Sequence, residues 1–266
     1  MKFDNETSTL QQKMTSSDVG MQRRQAMLKA MQIKINEKII DIGCGGGHLV
    51  EEISKCLNEN GKVIGLDPSN SQIDSAKIRC KKLENTEFLI GPANRINLED
   101  NFIDTVTSTQ TLEYIKDIDA TLLEIRRISK NKSKFLNIST LWDFYRFHGP
   151  EQKLNDLIHN VFKDHCFHQM LPTILNGKLY KLGYTNIKTN ELAFVFTQRN
   201  ENSFATFAEI FLANFLFLIS LPSGLLLLNN SVSTGPGAIA LQQILYCPSS
   251  RAHVFAKLAT AAFDAE

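Results

Sequence analysis

The stretch IIDIGCGGGHLV, residues 39–50, constrains this chain more than any other. An apolar run ends in Asp41, four glycines fall within the next six residues, and an amphipathic pattern starts at His48. Glycine permits positive φ and close approach of the backbone to a ligand. A helix start adds unpaired N–H groups. The spacing Gly43-Cys44-Gly45-Gly46-Gly47-His48 fits G-x-G-x-G, but His48 occupies the place of the third glycine in the dinucleotide fingerprint. A dinucleotide, another nucleoside and a bare turn all remain open on this stretch alone.

The chain around it alternates between short apolar runs and helical patterns. KIIDI ends at Asp41. HLVEEISKCL places Leu49, Val50, Ile53 and Leu57 at helical spacing, and Asn60 and Gly61 stop that helix. KVIGLD (62–67) reads as a second strand, and Ser69 can cap a helix over 70–83. TEFLIG (86–91), FIDTVTST (102–109) and KFLNIST (134–140) read as strands three to five, with an amphipathic helix over 117–130 between the last two. A helix over 172–182, a stop at Gly183 and a sixth strand over 185–194 follow, and SRAHVFAKLA is a candidate final strand. Such alternation implies parallel strands joined by crossover helices. The expected fold is α/β: a Rossmann-like, doubly wound, mostly parallel sheet of about seven strands. Helices cover both faces, and a helical cap is inserted at about 141–172. We read residues 1–266 as one domain, with an N-terminal helical segment (1–34), a cofactor-binding core (35–195), and an apolar helix and tail (196–266).

Asp67 narrows the ligand. It ends strand two, 24 residues after Gly43, where a carboxylate can accept hydrogen bonds from both hydroxyls of a ribose. Turn and acid together point to a nucleoside-containing ligand. The charge balance, 29 basic against 28 acidic residues, gives no reason to invoke nucleic acid. Five widely spaced cysteines without a CxxC fit free thiols in a reducing, cytoplasmic setting, and the polar N-terminus has no signal-peptide pattern. FAEIFLANFLFLISLPSGLLLL (207–228) is strongly apolar. Glu209, Asn214, Pro222 and Gly224 break it, so a buried or substrate-lining helix is expected, with peripheral membrane contact as the alternative to a stable span.

Taken in order, IIDIGCGGGHL, VIGLDPS, FIDTVTSTQTLEYIKDIDATLLEIRRISK and FLNIST resemble successive motifs of the class I S-adenosylmethionine-dependent methyltransferases. Within them, the small-molecule group that includes the ubiquinone/menaquinone C-methyltransferases is the most similar. The resemblance covers roughly residues 35–195. It implies S-adenosylmethionine as cofactor and methyl transfer to a small acceptor. Asp41, Gly43 and Gly45 would wrap the methionine part, with Cys44 and Gly47 in the same turn. Asp67 would hold the ribose, and Pro68 and Ser69 would lie beside the adenine. Gln110 would line the methyl-transfer pocket. Two positions depart from the family. Pro92 stands where an acidic residue usually faces the adenine, which leaves Ala93 and Asn94 for that contact, and Tyr114 replaces the histidine of Leu-Glu-His. The two acids Asp41 and Glu113 would repel a diphosphate but suit the cationic end of this cofactor.

An oxygen acceptor of high pKa, or a carbon acceptor, needs a base. His148 and His168 are the expected candidates, with Asp143 and His165 beside them in sequence. His159, His165, Cys166 and His168 fit no standard zinc spacing, so no metal is expected and these histidines are read as cap packing. The aromatics Trp142, Phe144, Tyr145, Phe147, Phe162 and Phe167, then Phe211, Phe215 and Phe217, fit either an apolar or aromatic acceptor's cavity or the cap's own core. A non-catalytic binding protein on the same fold, and an NAD-type oxidoreductase, are the alternative functions.

Overall fold

The computed structural model describes residues 5–144 and 152–192, and the side chains of 11–144 and of most of 152–192. Two helices come first, α1 (Asn5–Ser16) and α2 (Asp18–Met31). Ser17 separates them and caps α2, its hydroxyl accepting from the Gly20 N–H. Then follow β1 (Lys38–Ile42), α3 (His48–Ser54), β2 (Lys62–Asp67), α4 (Asn70–Cys80), β3 (Thr86–Ile90), β4 (Ile103–Thr109), α5 (Ile118–Ile128) and β5 (Ser129–Ile138). Helices α6 (Gln152–Phe162) and α7 (Leu171–Lys181) complete the described elements, with short 3-10 turns at Leu112–Tyr114, Trp142–Phe144 and Lys163–His165.

The sheet order is β3-β2-β1-β4-β5, and every pairing is parallel. The order reverses between β1 and β4, so the carboxyl ends of those two strands flank the crevice where open α/β sheets bind ligands. Period-2 alternation divides the strands between two cores. Ile40, Ile42, Ile64, Leu66 and Val106 face one core with Ile118, Leu122, Ile125 and Ile128 of α5 and Leu171, Leu175 and Leu179 of α7. Ile39 and Val63 face the other with Met27 and Met31 of α2, Leu49, Val50 and Ile53 of α3, and Ile73 and Cys80 of α4. Both faces are covered, as the strand-helix alternation requires.

The first four expected strands form within a residue or two of their expected positions. The described sheet differs from expectation in two places. Five strands form among the described residues, against the expected seven or so, and 185–192 is not a strand; SRAHVFAKLA lies outside the described residues. Strand β5 starts at Ser129, inside the stretch read as helix, because its pairing is interrupted. Ile103 pairs with Ser129, but Thr105 pairs with Lys134, and Lys132 in the looped-out stretch has φ 66°. The Ser129 hydroxyl ends α5 by donating to the Ile125 carbonyl at 2.6 Å. Residue 134, where the apolar pattern resumes, is where regular register resumes.

By their internal contacts, 5–141 with 166–192 form one compact unit and 142–144 with 152–165 belong to a second. The second falls within the stretch expected to be a cap. Among its described residues, Trp142 packs edge-on against His165 with ring centroids 4.6 Å apart, and His159 Nε2 lies 3.9 Å from Asp143 Oδ1.

Candidate cofactor site

The glycine turn is built by backbone geometry. Gly43, Gly45 and Gly47 have φ of 74°, 51° and 76°, the left-handed region that side-chain-bearing residues avoid. At Gly43 there is a second constraint, because a Cβ there would collide with the Thr111 side chain. At Gly47 a Cβ would come within 2.8 Å of the Ala76 methyl, so that glycine seats α3 against α4. At buried Gly45 a Cβ would meet only ordinary contact, with Gln72 Oε1 the nearest atom at 3.7 Å, so its left-handed φ is the constraint there. The turn is thus closest-packed at Gly43 and Gly47, its two ends.

Strand β2 holds the turn in place. The Leu66 carbonyl accepts from the N–H groups of Gly43 and Cys44 at 2.8 and 3.0 Å. Asp67 Oδ2 accepts from Gly45 N at 3.0 Å, and its Oδ1 accepts from Ser69 N at 2.9 Å. Each carboxylate oxygen keeps a free lone-pair site for a hydroxyl donor. Burial raises the Asp67 pKa above the usual carboxylate range, against the two backbone donors.

Asp41 lies between β2 and β4, in register with Gly65 and Thr107. It is 3% exposed, and Thr107 Oγ1 donates to its Oδ1 at 2.8 Å. Burial pushes its pKa to about 7, the Thr107 hydrogen bond opposes the rise, and the Asp67 charge adds to it. A buried acid whose ionised form is this unfavourable is a ready partner for a cationic ligand group. Two acids therefore lie together at this edge, Asp67 tied to the glycine turn and Asp41 buried beside it, an arrangement that suits a ligand with both hydroxyl donors and a cationic group.

Helix α1 covers the turn from outside. Gln72 Nε2 donates to Gln11 Oε1 at 2.9 Å, Gln12 Nε2 donates to Ser75 Oγ at 2.9 Å, and Ser16 Oγ lies 3.1 Å from His48 Nε2. Burial first, then the charges of Arg79 and Arg24, depress the His48 pKa to about 4, so its ring is neutral at physiological pH. Sequence reasoning missed the roles of Gln11 and Gln12 on α1 and of Gln72 on α4, because a polar helical residue carries no signal of which distant helix it will meet. It also missed Thr107 and Thr111, whose partners are set by the β1–β4 adjacency.

The other expected site residues scatter. Pro68 is exposed beside Asp67, Asn94 is exposed, and the Ala93 side chain packs into the core beneath α5 and α7. Gln110 lies at the carboxyl end of β4, between β4 and β5. His148 lies outside the described residues. His168 Nε2 donates to the Ile115 carbonyl at 2.9 Å and its backbone N–H donates to Glu113 O at 3.0 Å, so it braces the turn after β4, and only Nδ1 is left to act as a base.

Comparison with known proteins agrees with this geometry. The profile described as a methyltransferase domain matches residues 33–191, well over half of the chain. The chain belongs to that family. A demethylmenaquinone methyltransferase from Staphylococcus saprophyticus is 33% identical over 107 residues, which are 40% of this chain and 46% of that protein. An uncharacterized 37.1 kDa protein in transposon TN4556 of Streptomyces fradiae is 27% identical over 150 residues, 56% of this chain and 43% of that protein. The chain thus spans less than half the length of these relatives. Among solved structures, a SAM-dependent methyltransferase from Aquifex aeolicus shares the fold at TM-score 0.53 and 22% identity, over 68% of this chain and 89% of that one. Phosphoethanolamine N-methyltransferase 2 of Haemonchus contortus, solved with S-adenosyl-L-methionine, shares it at TM-score 0.56 and 20% identity, over 70% of this chain and 43% of that one.

Proposed function

We propose that the chain is an S-adenosylmethionine-dependent methyltransferase acting on a small, largely apolar or aromatic molecule. One observation carries the cofactor assignment: a glycine turn tied to Asp67, with Asp41 buried beside it. When bound, the cofactor supplies a methyl group on a sulfonium, open to in-line attack by a nucleophile. Asp67 binds the ribose hydroxyls while its backbone donors hold the carboxylate in place. Asp41, ionised, faces the cationic amino-acid end. The absence of a side chain at Gly45 would let the ligand approach the backbone. Helix α1 shields the turn from water, and excluding water keeps the nucleophile reactive. His148 and His168 are the proposed bases, His168 through Nδ1.

The apolar or aromatic character of the acceptor is supported by the aromatic-rich stretches of the sequence and by a relative whose name gives demethylmenaquinone as its substrate. No helix among the described residues is long and apolar enough to cross a membrane. The free-thiol cysteine pattern supports a cytoplasmic setting. Residues 207–228, proposed as a substrate-lining helix or a peripheral membrane contact, lie outside the described residues.

Isothermal titration with S-adenosylhomocysteine tests the cofactor assignment. Micromolar binding that is lost in Asp67→Ala is expected; no heat at millimolar ligand would refute it. Transfer of a labelled methyl group from S-adenosylmethionine to a panel of phenols and hydroquinones then tests the acceptor class.

A further inference from the structure

Beyond the cofactor crevice, the carboxyl ends of β4 and β5 hold polar atoms that the fold itself does not use. Gln110 has φ 52°, unusual for a residue with a side chain, and its N–H donates to the Ile138 carbonyl at 2.7 Å. Its Oε1 accepts from Thr140 Oγ1 at 2.9 Å, and Nε2 lies on the other side of the amide. Nε2 is buried, with no hydrogen-bond partner among the described residues, and the same holds for Thr109 Oγ1 beside it. Native folds leave few such groups, and a bound ligand or an ordered water is among the partners that satisfy them.

Behind this amide stands a fully buried acid. Glu113 is 0% exposed. Its Oε2 accepts from Ser139 Oγ at 3.0 Å and its Oε1 from Thr140 N at 3.5 Å. Its own carbonyl accepts from the N–H groups of Phe167 and His168. One side chain therefore sets the path of the chain leaving β5, and with it the hydroxyl that orients Gln110.

The sheet order indicates which ligand this donor serves. The glycine turn leaves β1 and Asp67 ends β2, whereas Gln110 is tied by its backbone to the end of β5 and by its side chain to Thr140 just beyond, on the far side of β4. We propose that Gln110 Nε2 donates a hydrogen bond to an oxygen on the methyl acceptor, and that Glu113, acting through Thr140, is the positioning residue that aims it. The acceptor class becomes an apolar body bearing a hydroxyl, carbonyl or carboxylate oxygen. This rests on the methyltransferase reading above.

The test compares two probes of one shape, 1-naphthol and naphthalene, titrated into the full chain loaded with S-adenosylhomocysteine. Wild type should bind naphthol about tenfold more tightly, the factor expected of one buried hydrogen bond. Gln110→Leu should bring that ratio near one with S-adenosylhomocysteine affinity unchanged. Thr140→Val and Glu113→Gln should lower the ratio, and Thr140→Ser should keep it; a purely structural role would weaken both probes alike and leave the ratio unmoved. The proposal is overturned if wild type shows no naphthol preference or if Gln110→Leu retains it. It is also overturned if Gln110→Leu weakens S-adenosylhomocysteine but not 5′-methylthioadenosine, since the donor would then serve the cofactor's carboxylate. Failure of wild type to bind S-adenosylhomocysteine at all is a separate result, and refutes the methyltransferase reading itself.

Discussion

Replacing Asp41 with Asn should stabilise the free protein at neutral pH and impair its function. Asp41 is buried, and its pKa rises from 3.8 to about 7. Between those values the folded chain keeps a proton that the unfolded chain releases, so the residue's contribution to stability falls as pH rises from about 4 to 7. At about 1.4 kcal/mol per pH unit, the gap corresponds to a cost of up to about 4 kcal/mol at pH 8. Asn removes that cost and can still accept from Thr107 through its amide oxygen. Urea melts of wild type and Asp41→Asn at pH 4.5 and pH 8 isolate the effect, because other titrating groups cancel in the difference. The variant should be only about 1 kcal/mol more stable than wild type at pH 4.5 and about 4 kcal/mol more stable at pH 8. A cationic ligand offsets the same cost, so wild-type affinity for S-adenosylhomocysteine should fall as pH drops below 7, with a proton released on binding. The variant should bind weakly at every pH. A stability difference that does not change with pH, or wild-type affinity unaltered between pH 5.5 and 8, would refute the reasoning.

Gly43→Ala puts a methyl group onto the Thr111 side chain at φ 74°, and should cost about 1–3 kcal/mol and abolish S-adenosylhomocysteine binding by calorimetry. His48 has the opposite pH dependence to Asp41: its folded pKa of about 4 lies below its ordinary 6.5, so its contribution is full above pH 6.5 and lost as pH falls toward 4. His48→Gln should therefore flatten the acid limb of the stability profile between those values. Ser17→Ala removes the cap of α2 and should lower stability by about 1 kcal/mol in thermal melts. Ile125→Ala, in the core between α5 and the sheet, should cost about 2–5 kcal/mol in urea melts, with the far-ultraviolet spectrum retained.

Local patterns in the sequence determined much of this protein. The alternation of apolar runs and amphipathic stretches specified a parallel sheet covered on both faces, because each strand and helix carries its own period. The turn and its acid were legible for the same reason: Gly43, Gly45 and Gly47 need left-handed backbone, and Asp67 ends the next strand. Tertiary structure decided what meets what across the reversal of strand order. Asp41 and Thr107 are 66 residues apart, and they touch only because β4 lies next to β1. The collision that keeps Gly43 a glycine comes from Thr111, across the same reversal. The start of β5 was misread because a looped-out stretch carries no hydrophobic period. In sequence Glu113 reads, with Asp41, as an acid suited to the cofactor's cationic end. Only the fold buries it and places its carboxylate against Ser139 and Thr140, because strand order and burial are properties of the packed chain and of no single segment.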